Sequence, residues 1–203
     1  MAAIDLTRLN KQIDGLKEAF AQPADFRRQL HVVLQFYHRY AHRKHKDSVS
    51  ISFMQTYDLP EQILPQIANG LSLKARQDVN ETLAVVDELW LDDHFEAREL
   101  ATYLIGQVPV SASQEIYQRL TQWVSVPTDR AVIRSIFTKS SQRLRVEAPK
   151  GWVDFVGSLL ASPVERAQNH GLYALSLLAT QSDSDDLPQF FHWIRPFIQS
   201  DQN

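Results

Sequence analysis

The sequence contains no cysteine among its 203 residues. Disulfide bonds, thiol catalysis and thiolate metal ligands are therefore excluded, and the composition is compatible with a reducing compartment. The amino-terminal residues lack the basic start and apolar run of a secretory signal peptide, and the apolar stretches are too short to span a bilayer. Glycine-rich phosphate loops and the short signatures of serine hydrolases and zinc proteases are also missing. We expect a cytoplasmic protein that makes no contact with membranes.

The net charge is small, at −3, so the overall field of the protein does not favour a nucleic-acid partner. Such a partner would require a local basic patch. Hydrophobic residues make up 44% of the chain, which is enough to form a sizeable core. Disorder is therefore expected only near the ends of the chain.

Apolar residues recur at three- and four-residue spacing along nearly the whole chain, as in Leu6, Leu9, Ile13 and Leu16. This spacing places them on one face of an α-helix, whereas the alternation typical of strands is nearly absent. Ten such stripes predict ten helices, the seventh of which runs over residues 133–144. The one alternating run, residues 48–53, has no partner strand, so we expect an extended loop there. The sequence thus predicts an all-α protein.

Two segments share the pattern of a helix end, a short turn and a new helix start. In the first, Asp93 is the expected N-cap, and Glu96 stands where the carboxylate of a capping box would reach back. In the second, Ser162 and Glu165 are expected to take the same two roles. Their separation of roughly two repeat lengths indicates stacked helical hairpins. We therefore predict a HEAT-like α-α superhelix (solenoid) of about five hairpins, forming a single domain over residues 1–203.

The most concentrated basic segment is residues 37–46, in which positive charges lie beside aromatic rings. This combination suits phosphates and exposed bases. Histidines at positions 31, 38, 42 and 45 fall on one side of the same helix, so metal binding is a second interpretation. The structural alternative is a solvated helix end whose cations complement the helix dipole. If the segment contacts nucleic acid, the residues expected on phosphates are Arg39, Arg43, Lys44 and Lys46.

Acidic residues cluster at the start of the predicted fifth helix, at Asp92, Asp93 and Glu96, with His94 among them. They could act as metal ligands or acid–base groups, but helix capping and the helix dipole explain an acidic helix start on their own. Tryptophans at 90, 123, 152 and 193 are spaced about evenly, as expected for rings that fill seams between hairpins. One of them could instead line a groove and stack on a base. We predict neither a metal nor a cofactor.

From about Tyr40 to Gly106 the sequence resembles the DNA alkylation repair family of HEAT-like repeat proteins, the AlkD type. The resemblance rests on a helix that ends in Leu89-Trp90, followed after a short turn by Glu96-x-Arg98-x-x-Ala101-x-x-Leu104-Ile105-Gly106. A later region resembles the C-terminal repeat of that family, through Ser162-Pro163 and Tyr173-Ala174-Leu175. Residues of this kind mainly pack and cap helices.

The resemblance implies a protein that binds duplex DNA in a concave groove. Active members excise alkylated purines without flipping the damaged base, and a groove aspartate lined by tryptophans stabilises the positive charge that develops on the sugar. The family motif Trp-Asp-x-x-Asp, whose second aspartate is catalytic, corresponds here to residues 123–132. Aligning Asp129 with the first aspartate places Val132 at the catalytic position, and aligning on Trp123 places Pro127 there. The resemblance implies Trp123 as a groove residue, and Asp129 is the expected catalytic residue if a local shift brings it to that position. We expect Arg130 on a phosphate, together with the cations of the basic segment.

Two functions follow as expectations. The first is a DNA-interacting protein of the alkylation repair type, either an active glycosylase for alkylated purines or a divergent, catalytically inactive relative. The second is a scaffold for protein partners that keeps the HEAT-like fold without the chemistry. Salt-dependent binding of duplex DNA distinguishes the two.

Overall fold

The computed structural model of the chain describes residues 5–41, 54–180 and 187–200. Helices hold 82% of these residues, which confirms the predicted all-α class. Within these ranges an isolated bridge between Gln55 and His94 takes the place of any sheet. The α-helices are α1 Leu6–Glu18, α2 Pro23–Ala41, α3 Ile63–Gln77, α4 Val79–Trp90, α5 Phe95–Ile105, α6 Ser113–Ser125, α7 Arg130–Ser135, α8 Gln142–Glu147, α9 Pro149–Leu160, α10 Glu165–Ala179 and α11 Leu187–Ser200.

The helix ends and faces largely follow the predicted stripes. Asp5 caps α1 by accepting a hydrogen bond from the Arg8 amide (3.1 Å), and Pro23 opens α2 with its φ angle already helical. In the described ranges, no helix combines the length and the apolar composition needed to cross a membrane. The loop predicted over residues 48–53 lies outside the described residues.

The single helix predicted over residues 133–144 is wrong, because α7 ends at Ser135 and a π-helical turn, Ile136–Ser140, separates it from α8. Thr138 Oγ1 donates to the Arg134 carbonyl (2.9 Å) and Ser141 Oγ to the Phe137 carbonyl (2.7 Å), and such local bonds compete with a regular helix. Ser140 Oγ donates to the Thr102 carbonyl of α5 (3.2 Å). The turn also passes very close to the end of α5. A Cβ on Gly106 would lie 2.2 Å from the Lys139 carbonyl oxygen, so this approach requires glycine.

The described residues group into two compact units. The first comprises the described residues up to 112 together with 129–143, and the second comprises residues 113–128 together with the described residues from 144 onward. The predicted single domain stays a prediction. In the first unit, α4 packs against α5 and α2, and α3 packs against α5. The inner face predicted for the fifth helix is confirmed, since five residues of α5 are fully buried: Ala97, Leu100, Ala101, Leu104 and Ile105. In the second unit, α10 packs against α9, α6 and α11.

The turn between α4 and α5 is held by three hydrogen bonds that all involve Asp92. The Asp92 amide donates to the Leu89 carbonyl (3.2 Å), and Asp92 Oδ1 accepts from the amide of His94 (2.9 Å). The Asp92 carbonyl accepts from Nε of Arg98 (2.9 Å). Asp92 thus closes the end of α4 and fixes the start of α5.

The turn between α9 and α10 repeats these bonds 70 positions later in the chain, with Ser162 in place of Asp92. The Ser162 amide donates to the Leu159 carbonyl (3.1 Å), and Ser162 Oγ accepts from the amide of Val164 (3.1 Å). The Ser162 carbonyl accepts from Nε2 of Gln168 (2.8 Å). The two hairpin turns therefore have the same local construction.

This equivalence corrects the predicted caps. The N-cap of α5 is His94 and not Asp93, and the N-cap of α10 is Val164 and not Ser162. Asp92 is the residue that corresponds to Ser162. The predicted capping box at Glu96 is also wrong, because the Glu96 carboxylate bonds to a distant part of the chain. Sequence spacing found the two turns but aligned them one residue out of register.

Candidate functional site

Four polar side chains from three parts of the first unit meet beside the α4–α5 turn. They are His31 of α2, Tyr57 of the segment before α3, and Asp92 and His94 of the turn. We refer to them as the histidine–aspartate cluster. His31 Nε2 lies 2.7 Å from Asp92 Oδ2, and His31 Nδ1 lies 2.9 Å from the Tyr57 hydroxyl. His94 Nδ1 lies 3.0 Å from Asp92 Oδ1. Asp92 is therefore shared between two imidazole rings.

Ring contacts fix the orientation of the cluster. The rings of Tyr57 and His94 stack with centroids 4.7 Å apart and an angle of 15° between their planes. The His31 ring meets His94 edge-on at 4.8 Å. Backbone bonds from Gln55 to Asp93 O and from Phe95 to Gln55 O hold the segment carrying Tyr57 against the turn. Ring contacts and backbone hydrogen bonds together therefore fix the positions of the His31, Tyr57 and His94 rings.

The environment keeps Asp92 ionised. Burial alone would raise its pKa, since only 6% of the side chain is exposed. The hydrogen bonds from His31 and His94 outweigh burial, and they hold the pKa of Asp92 far below its usual range. Burial first, and then the charges of Asp92 and Glu96, raise the pKa of the Tyr57 hydroxyl. Tyr57 therefore stays protonated at neutral pH and is a hydrogen-bond donor or acceptor in this cluster rather than a nucleophile.

Glu96 connects the cluster to a cavity. It is only 4% exposed, and its Oε1 accepts from the Thr56 hydroxyl and from the Tyr57 amide, both at 2.8 Å. Its second oxygen, Oε2, is buried and has no hydrogen-bond partner among the described residues. A buried carboxylate oxygen without a partner is costly, so this atom is suited to a ligand that supplies a donor or a positive charge.

The cavity has a volume of about 430 Å³ and lies among the start of α3, one side of α5 and the start of α7. This volume falls within the range typical of ligand sites. The lining carries one tyrosine, Tyr103, and five carboxylates: Asp58, Glu61, Glu96, Glu99 and Asp129. Asp58 has a φ of 46°, in the left-handed region that aspartate tolerates better than most residues. The cavity is therefore strongly acidic.

Glu99 is the carboxylate most disturbed by this environment. Its pKa is raised mainly by burial and further by the charge of Glu96, while the hydrogen bond from Ser135 Oγ (3.3 Å) and the charge of Lys139 oppose the increase. Perturbed carboxylates in a cavity are typical of functional sites. A cationic ligand would relieve the repulsion between Glu96 and Glu99.

Asp129 and Arg130, both predicted site residues, lie at the edge of this cavity or beside it. Asp129 is the N-cap of α7, and its Oδ1 accepts from the Ala131 amide (2.8 Å), so one carboxylate oxygen is committed to the helix. Arg130 is exposed at the first position of α7, and Arg134, one helical turn later, is exposed as well. The structure thus brings Asp129 together with Glu96 and Glu99, a pairing that the sequence did not indicate.

The remaining predicted residues are placed as follows. Trp123 belongs to the second unit and is 2% exposed, so in this conformation its ring offers little area for stacking on a base. Arg39 lies in α2, and its side chain is outside the described part of the structure. Arg43, Lys44 and Lys46 lie outside the described residues altogether. Their roles on DNA stay predictions.

Sequence reasoning missed the histidine–aspartate cluster because its members are far apart in the chain. His31 and Asp92 are 61 positions apart, and each belongs to a local sequence pattern that does not involve the other. Tyr57 does not belong to any recognisable sequence motif. One signal was present: Glu96 and His31 are polar residues that interrupt or border apolar stripes, and such residues usually have a partner in another element.

In comparisons with known proteins, the chain gives no significant match to any family model, curated protein or solved structure.

Proposed function

We propose that the protein is a HEAT-like repeat protein of the DNA alkylation repair type, which binds duplex DNA and recognises nucleotides that carry positive charge. The observation that carries this proposal is the acidic cavity of the first unit, with Glu96, Glu99 and Asp129 in its lining and exposed arginines on the adjoining α7. The resemblance of residues 40–106 to that family agrees with the proposal.

The chemistry of alkylated purines fits an acidic site. Alkylation at a ring nitrogen gives the base a formal positive charge, and cleavage of its bond to the sugar places positive charge on the sugar in the transition state. Carboxylates held in a partly buried site stabilise such charge more strongly than they would in water. The unpartnered Oε2 of Glu96 and the raised pKa of Glu99 mark the positions where a cation is most needed.

An acidic cavity alone would repel the DNA backbone, so phosphate contacts must come from beside it. Arg130 and Arg134 are exposed on the same helix that carries Asp129 at its N-cap. Contacts to phosphates position a protein on the duplex, whereas contacts inside the groove discriminate between nucleotides. We assign the first role to the α7 arginines and the second to the cavity carboxylates.

The local repeat supports the superhelical part of the proposal. Two hairpin turns with the same hydrogen bonds recur 70 positions apart, as expected for two copies of a structural repeat that are separated by one other copy. The superhelix of about five hairpins is proposed on this basis.

A salt-dependent titration with two duplexes tests the proposal. One duplex contains a single 7-methylguanine, which is cationic, and the other contains guanine. We expect tighter binding of the methylated duplex, and we expect Asp129→Asn to reduce that preference by up to about tenfold, or about 1.4 kcal/mol. Glu165→Gln, which removes an exposed carboxylate at the start of α10, is the matched control and should leave the preference unchanged.

Arginine variants test the backbone contacts separately. Arg130→Ala and Arg134→Ala should weaken both duplexes equally, and each should reduce the slope of log affinity against log salt by about 0.9. Changing Arg39, Arg43 and Lys46 to Ala tests the basic segment in the same way. Failure of the native protein to bind either duplex at low salt would overturn the proposal and favour the protein scaffold.

A further inference from the structure

The donor atoms of His31, Asp92 and His94 form a compact group. One nitrogen from each ring and a carboxylate oxygen all lie within 4.8 Å of one another. The two histidine side chains are about a quarter exposed, at 26% and 23%, whereas Asp92 is 6% exposed. Ions from solution can therefore reach the group, while the carboxylate is held in place by its surroundings.

The donor set is one that transition metals prefer. Two imidazole nitrogens and one carboxylate oxygen bind Zn²⁺, Co²⁺ and related divalent ions at about 2.0–2.2 Å. In a tetrahedral complex of that size the ligand atoms lie about 3.3 Å apart. The hydrogen-bonded pairs to Asp92 are now at 2.7 and 3.0 Å, and no two donor atoms of the group are more than 4.8 Å apart, so changes of side-chain torsion angles must bring the more distant pair closer before all three bind one ion.

Tyr57 holds His31 in a manner typical of a metal ligand. A histidine that binds a metal through one nitrogen usually donates a hydrogen bond from the other nitrogen to a neighbouring group. His31 Nδ1 already faces the Tyr57 hydroxyl at 2.9 Å, and a hydroxyl can accept as well as donate. If Nε2 binds a metal, the proton on His31 moves to Nδ1 and its bond to Tyr57 is kept.

From this geometry we propose that His31, Asp92 and His94 bind a divalent transition metal ion of the Zn²⁺ class. The ion joins α2 to the α4–α5 turn, with water in the fourth position. The Nε of Arg27 lies 3.9 Å from Asp92 Oδ2, and Arg27 also pairs with Glu88 at 3.1 Å. Arg27 therefore has a second carboxylate partner when the ion takes Asp92. The inference does not depend on the proposed DNA function.

The test uses the full chain after treatment with a chelator. Co²⁺ is titrated while its visible absorption is followed, and Zn²⁺ affinity is measured by competition with a chromophoric chelator. We expect one saturable equivalent, with Co²⁺ absorption of a four-coordinate complex. His31→Ala and Asp92→Asn should each weaken Zn²⁺ binding by a hundredfold or more, on the order expected for loss of a ligand. Tyr57→Phe keeps the stacked ring and should weaken it by about 10–100-fold.

Two control variants test whether other histidines bind the metal, and a third variant guards against loss of the fold. His170 bonds to the Val124 carbonyl in the second unit, and His170→Ala should bind Zn²⁺ as the native chain does. The His42→Ala, His45→Ala double variant should do the same, although those residues lie outside the described ranges. His94→Gln, at a half-buried position, serves as the ligand variant if His31→Ala fails to give the native circular dichroism spectrum. Absence of a saturable equivalent, or unchanged binding in both His31→Ala and Asp92→Asn, would overturn the inference.

Discussion

The α4–α5 and α9–α10 hairpins have the same turn geometry but differ in the chemistry of the residues that make it. In the first, Asp92 accepts the bond that fixes the next helix, and the same carboxylate also binds His31 of α2. In the second, the Ser162 hydroxyl accepts the equivalent bond, and Val164 stands where the first hairpin has His94. A neutral hydroxyl is therefore sufficient to build this turn.

The comparison separates what the fold requires from what the first unit has in addition. Because the turn forms with Ser162, the charge of Asp92 is not needed for turn geometry. The carboxylate of Glu96 is not needed for turn geometry either, because the corresponding residue 70 positions later is the exposed Arg166. Buried carboxylates usually lower stability unless they are paired; Asp92 is paired with two histidines, whereas Oε2 of Glu96 has no partner among the described residues, which supports the proposed binding role.

Removing the two equivalent side chains should have unequal effects. Asp92→Ala leaves the donors of His31 and His94 without their buried acceptor, and we expect a loss of about 3 kcal/mol in the free energy of unfolding. Ser162→Ala removes a single bond and should cost about 1 kcal/mol. Urea unfolding in the presence of a chelator measures both variants against the native chain. Equal losses would show that the two turns depend on their side chains to the same extent.

The two units also differ in the residues that could support excision, because Asp129 and the acidic cavity both belong to the first unit. Val132 stands where the family motif has its second aspartate, and Asp129 already uses one oxygen to cap α7. We therefore expect the native protein to bind DNA with alkylated purines without excising them. If excision is detected by release of methylated base, Asp129→Asn should reduce its rate by a hundredfold or more. Excision that survives this change would move the catalytic role to another carboxylate of the cavity, Glu96 or Glu99.

The helices were largely predictable from the sequence, because the spacing of apolar residues in a helix depends only on that segment of the chain. The stripe of α5 gave its buried face correctly, and the repeated Glu96 and Glu165 patterns located both hairpins. The π-helical turn was not predictable from periodicity, and it lies against Gly106, which is 33 positions before Lys139 in the chain. The site was not predictable for the same reason: His31 and Asp92 meet through the packing of α2 on α4, and backbone bonds of Gln55 to the α4–α5 turn hold the segment that carries Tyr57. Capping patterns also misled, since Glu96 has a better partner in Thr56 and Tyr57 than in its own helix.

The pH dependence of stability should also distinguish the two hairpins. The folded-state pKa of Asp92 is lowered, so the unfolded chain takes up a proton first as the pH falls. The stabilisation is therefore complete above the pKa of an unfolded aspartate, about 3.9, and is lost as the pH falls below it. Unfolding free energies measured between pH 5 and pH 3 should decrease more for the native chain than for Asp92→Asn. Ser162→Ala should follow the native profile, and an identical profile for Asp92→Asn would contradict this assignment.

Glu99→Gln tests the central proposal, that the acidic cavity binds a cationic nucleotide. Burial raises the pKa of Glu99, so its charged form lowers stability as the pH rises through that pKa. At pH 7 the neutral glutamine should therefore increase the free energy of unfolding, by up to about 1 kcal/mol. We predict that the same variant loses most of its preference for the 7-methylguanine duplex over the guanine duplex and keeps its affinity for the latter. A more stable variant with an unchanged preference would contradict the account.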